Sequence, residues 1–72
     1  MYIFVELHIN GETGSLFLFL LSFIFNVMVH STSNGMVTMT FKVKDVYEQA
    51  SLEKCLNVME SQGLVSLGAI IA

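Results

Sequence analysis

The hydrophobic period of this chain changes along its length, and each change marks an element. In residues 2–9, YIFVELHI, Ile3, Val5, Leu7 and Ile9 fall on one face of a strand and Glu6 and His8 on the other. Asn10-Gly11 is a strong turn signal, and Glu12-Thr13-Gly14 extends the polar break. Residues 16–29, LFLFLLSFIFNVMV, are apolar except for Ser22 and Asn26. Ser15 ahead of them suits a helix cap, so a helix is expected. Phe17, Phe19, Phe23 and Phe25 lower its propensity and leave a strand open. STSNG, residues 31–35, predicts a polar loop. Val37, Met39 and Phe41 then alternate with Thr38 and Thr40, which predicts a strand.

From Val43 the period becomes helical. Val43, Val46, Tyr47 and Ala50 share one direction at about 100° per residue, and Leu52, Cys55, Leu56 and Met59 point nearly opposite. One straight helix over 43–62 would be apolar on two opposed faces. A break near Ala50-Ser51, with Ser51 as N-cap, turns both faces into one core and predicts a helix-turn-helix pair. Gly63 is placed as a left-handed C′ residue with Leu64 at C″ against Met59, a Schellman ending. Residues 64–72, LVSLGAIIA, predict a closing strand with Val65, Leu67, Ala69 and Ile71 on one face.

Composition narrows the class. The chain has 72 residues, 54% hydrophobic and 12% charged, against about 25% charged in ordinary soluble domains. One small domain is all this length supports. Its apolar surface has to be hidden in a core, a partner or a membrane. Disorder is excluded by the same apolar content. The net charge is −3, and Lys42, Lys44 and Lys54 are the only basic residues. Autonomous nucleic-acid binding needs a Lys/Arg cluster that is missing here. Cys55 is the single cysteine and lies on the apolar helix face, as a small buried hydrophobe would.

No reaction centre is visible. His8 and His30 stand at no metal-ligand spacing to Glu6 or Cys55. Glu6 and Glu12 read as a strand face and a turn. The serines have no nucleophile-elbow context, and the glycines form no phosphate loop. The expectation is a non-enzyme with no catalytic residue, metal or cofactor.

The order from Leu16 onward, an apolar helix, a short strand, two helices and a wing strand, resembles a winged-helix domain. Within that superfamily it is similar to the C-terminal winged helix of the replication-licensing ATPases, the cell-division-cycle-six and origin-recognition type. The residues that carry the likeness are Leu16–Val29, Val37-Thr38, Val46-Tyr47 and Met59-Glu60-Ser61-Gln62-Gly63-Leu64-Val65-Ser66-Leu67. It departs from that pattern in a short Tyr47–Leu52 connection, a missing second wing strand after Ala72, and a recognition helix that offers only Lys54 against Glu53 and Glu60. The resemblance implies an α+β fold, with an N-terminal strand and turn in 1–15 and an incomplete winged-helix-like domain in 16–72. It implies a nuclear or cytoplasmic module of DNA replication and the cell cycle that acts by protein contact. The interaction residues it suggests are Leu52, Lys54, Leu56, Met59, Leu64, Val65 and Leu67, docking on a protein partner or the rest of the domain.

Two other readings stay open. The run from Leu16 to about His30 could span a membrane, in a single-span microprotein with residues 42–62 as a tail. Met1-Tyr2, Phe4-Val5 and Glu12–Leu16 before that run resemble the N-terminus of coronavirus envelope proteins, without the cysteine cluster those carry. A newly arisen open reading frame fits the apolar bias and absent arginine, though the caps around 51–64 argue for a selected fold.

Overall fold

A computed structural model describes all residues, 1–72. Six elements follow in order: β1 (Tyr2–Ile9), α1 (Gly11–Ile24), β2 (Asn26–Ser33), β3 (Met36–Lys42), α2 (Val46–Ser61) and β4 (Val65–Ile71). The strands make one antiparallel sheet in the order β2-β3-β1-β4. β1 therefore lies parallel to β2 with β3 between them, and β3 parallel to β4 with β1 between them. Two interleaved βαβ units of this kind form the ferredoxin-like, split-βαβ arrangement. The fold is α+β, as expected from the sequence.

The core lies between the sheet and its two helices. Ile3, Val5 and Leu7 of β1 and Val37, Met39 and Phe41 of β3 point into it, which is the alternation read from the sequence. Leu52, Leu56 and Met59 of α2 cover them, and Leu21 and Phe25 close the α1 side. Phe25 meets Phe41 edge-on, with centroids 6.2 Å apart. β1 is fully buried along this face from Ile3 to Leu7 and pairs on both sides, so residues 1–15 supply one of the two inner strands of the sheet.

Three expected elements are corrected. The apolar run of residues 16–29 is no single helix. α1 ends at Ile24, Phe25 is extended (φ −117°, ψ 150°), and Asn26 opens β2. The cause lies downstream. Asn34 (φ 53°) and Gly35 (φ 81°) both take the left-handed conformation of a two-residue hairpin turn. That turn folds residues 26–33 back on β3, with Val27 opposite Phe41 and Val29 opposite Met39. The expected loop at 31–35 is thus the end of β2 and the turn. The span of Leu16–His30 fails with it, since it is cut into helix and strand, and no helix is long and apolar enough to cross a membrane.

The helix-turn-helix pair is also absent. α2 runs unbroken through Ala50-Ser51. The two-faced pattern is resolved by leaving one face outside: Val46 and Tyr47 are exposed, Tyr47 at 81%. Val43 lies in the extended segment before the helix, buried and accepting from the N-terminal amine of Met1 at 2.9 Å. The cap is Asp45, whose carboxylate accepts from the Glu48 amide at 2.9 Å, and not Ser51. Two helices and a four-stranded sheet stand where the winged-helix resemblance implies three helices and a wing. Asp45→Ala is expected to lower stability by about 1 kcal/mol, read as a shifted urea midpoint. An unchanged midpoint would mean that the cap contributes nothing.

The far end of α2 matches its expectation. The Gly63 amide donates to Glu60 and the Leu64 amide to Met59, each at 3.0 Å, with Gly63 at φ 75°. This is the Schellman pattern. Asn10 fastens the start of α1 to the same corner: its amide donates to the Leu64 carbonyl at 2.9 Å and its Nδ2 to the Gly63 carbonyl at 3.3 Å.

Candidate interaction surface

Most of α1 is uncovered. Of its fourteen residues only Gly14 and Leu21 are buried. Leu16, Phe17, Phe19, Leu20, Phe23 and Ile24 are exposed, Phe23 at 72% and Ile24 at 70%. At about 100° per residue, Leu16 and Phe23 lie opposite Leu21, on the side turned away from the sheet, and Phe19 lies beside them toward β2. A helix that is apolar all round belongs in an interior. Here the chain buries one strip of it and leaves the remainder bare.

Apolar grooves flank α1. Between α1 and α2 lies a cleft of about 780 Å³, walled by Phe17, Leu20, Leu21 and Ile24 on one side and by Cys55, Val58 and Met59 on the other. Lys54, Gln62 and Thr13 are its only other polar lining groups. On the opposite flank, Leu18 and Phe19 overhang Val27 and Val29 of β2 across a space of about 260 Å³. β2 itself is an edge strand, and Met28 and Val29 on it are 65% and 54% exposed.

Charge is sorted to the other side of the molecule. From Thr13 to Phe41 there is no Asp, Glu, Lys or Arg. That stretch holds nearly all of α1 and the whole of β2. Apart from Glu6 and Glu12, every charged residue falls between Lys42 and Glu60, on and around α2. Depletion of charge in a large apolar patch is how the centre of a protein interface is composed.

The residues that the sequence proposed for interaction fall elsewhere. Leu52 and Leu56 are 0% exposed, and Met59 and Val65 are also buried, so their face docks on the chain's own sheet. Leu64 and Leu67 are half-buried against the same core. Only Lys54 is exposed, at the rim of the inter-helix cleft. The large apolar residues that are exposed, and that the sequence reading leaves out of its set, include Phe19, Phe23, Ile24 and Met28. Their signal was the apolar run itself, in which nothing distinguishes an unburied helix from a core one.

Both histidines have structural partners. His8 Nε2 donates to the Asn34 carbonyl at 3.0 Å and holds the hairpin turn against β1. His30 is hydrogen-bonded to the Thr40 hydroxyl at 2.6 Å and stacks on Phe4 on the open face of the sheet. No group of three His, Cys, Asp or Glu side chains is placed to hold a metal ion. Cys55 is half-buried and lines the cleft. No protein-family model, curated protein or solved structure matches the chain.

Proposed function

We propose that this chain is a non-enzymatic interaction module that works by burying α1 and its two flanking grooves against another protein. The observation that carries the reading is the exposed, uncharged surface of α1, in a domain whose other helix is amphipathic and properly seated. A lipid surface is the poorer occupant. Helices that lie on membranes carry Lys or Arg beside the apolar face, and residues 13–41 carry none. The reading needs no ATPase partner, nucleic acid or nuclear location.

A photo-crosslinking amino acid placed at Phe23 in living cells tests it, with the same group at Tyr47 as the control. Both positions are exposed, one on the apolar face and the other on the charged side. Discrete protein adducts from position 23 and none from position 47 are expected. Equal adducts from both, none from either, or adducts to lipid alone would end the proposal.

A further inference from the structure

Resting on that reading, we infer that the occupant is a second copy of this chain, joined edge to edge through β2 with the two α1 helices side by side.

The first argument is the edge. β2 is eight residues long, and it has neither proline nor a Lys, Arg, Asp or Glu. Natural edge strands carry such residues, or are covered, because a bare edge pairs with any strand presented to it. No side chain of this chain takes up a β2 amide. Both edge strands bulge, β2 at His30 and β4 at Gly68, but on β4 the Leu67 amide also donates to the Glu60 carboxylate at 3.1 Å. The β4 edge is engaged from within at that one point, and the β2 edge at none.

The second argument is symmetry. A two-fold axis normal to the sheet at β2 pairs the strand antiparallel with its own copy and makes one sheet of eight strands. Both helical layers then lie on the same face. α1 sits over the β2 side of the sheet, as the Phe19–Val29 groove shows, so the axis brings α1 beside its copy. The helices meet antiparallel, which puts the two Glu12 side chains at opposite ends. A surface without charge has no pattern by which to choose an oppositely charged partner, and it meets its own copy without like-charge repulsion.

The third argument is size. At roughly 200 Å² for a fully exposed large side chain, the exposed fractions of Leu16, Phe19, Phe23 and Val29, which face outward or toward β2, amount to roughly 480 Å². A stable interface takes about 800 Å² from each partner. The main-chain edge of β2 adds to this side-chain area, and the dimer is expected to be a weak one at the low end of specific interfaces.

Sedimentation velocity of the purified chain over a concentration series tests the inference, combined with backbone hydrogen exchange. A species of twice the 8.0 kDa chain mass is expected, with β2 amides protected and β4 edge amides still exchanging. Phe23→Glu should weaken the dimer by at least about 30-fold and release the β2 amides. Tyr47→Glu should change neither. Phe23 is largely solvent-exposed, so the variant is expected to fold, and an unchanged far-UV dichroism spectrum verifies this. A chain that stays monomeric throughout, a dimer protected at β4 instead of β2, or a dimer indifferent to Phe23→Glu overturns the inference. A monomeric chain whose position 23 still crosslinks to some other protein would leave the docking reading standing and remove only the second copy.

Discussion

Leu56→Ala is expected to cost about 3 kcal/mol, one of the two largest losses any single truncation of this domain should produce. Leu56 is fully buried at the middle of α2, among the side chains of β1 and β3. Truncation removes its transfer energy and leaves a cavity that a sheet on one side and a helix on the other can only partly close. A domain of 72 residues has about 4–10 kcal/mol of stability in total. The melting temperature should therefore fall by roughly 15 °C. Differential scanning calorimetry decides the matter. A drop of only a degree or two would mean that α2 is not seated on the sheet through this residue. Val58→Ala, half exposed on the same helix, should shift the melt far less. The contrast separates burial from any general sensitivity of α2.

Gly14→Val should be comparably damaging, for the opposite reason. Gly14 is buried in the second turn of α1, where a Cβ would overlap the carbonyl oxygen of Leu64 and press on Ile9. That oxygen has no room to yield, because it already accepts the Asn10 amide. Alanine would gain about 1 kcal/mol of helix propensity over glycine. The backbone clash outweighs this, and Gly14→Ala should still lose about 1–2 kcal/mol. Valine adds branches in the same space and should lose about 3 kcal/mol or more. Urea denaturation of both variants, compared with Gly11→Ala, makes the test. Gly11 stands at φ 83° with open space around it, so its substitution costs backbone strain without overlap. Wild-type midpoints in the Gly14 variants would show that α1 is free to lift from the α2–β4 corner.

How far the fold is legible in the sequence differs from element to element. β1 and β3 are read correctly because their alternation is strict and one face of each is wholly buried. The α2–β4 joint is read correctly because Gly63 and Leu64 sit at the only spacing that completes a Schellman ending on Met59. β2 is missed because its apolar residues continue those of α1 without a polar break, so composition hides the change of period. Asn34-Gly35 carries the missing signal. Two Asn-Gly pairs occur, and the one at 10–11 opens a helix while the one at 34–35 turns the hairpin. Only pairing between residues 26–33 and β3 tells them apart. Val46-Tyr47 misleads in the other direction, since an apolar pair at helical spacing was assigned to a core that never reaches it. The surface of α1 is legible only as hydrophobicity. Whether a greasy helix is covered is a question about neighbours, and a one-dimensional pattern contains none.

The inner place of β1 has a consequence for how the chain comes into being. β1 is synthesised before the other three strands of its sheet, and one of its two partners, β4, after them. During synthesis β1 can pair with β3 but keeps a bare edge until β4 has followed. α2 can seat on β1 and β3 before β4 arrives, but the sheet beneath it is then one strand short. The uncharged stretch from Thr13 to Phe41 is thus outside the ribosome well before the domain can close. The wait falls on the segment least able to tolerate water, and neighbouring nascent copies on one messenger would present the same segment to each other.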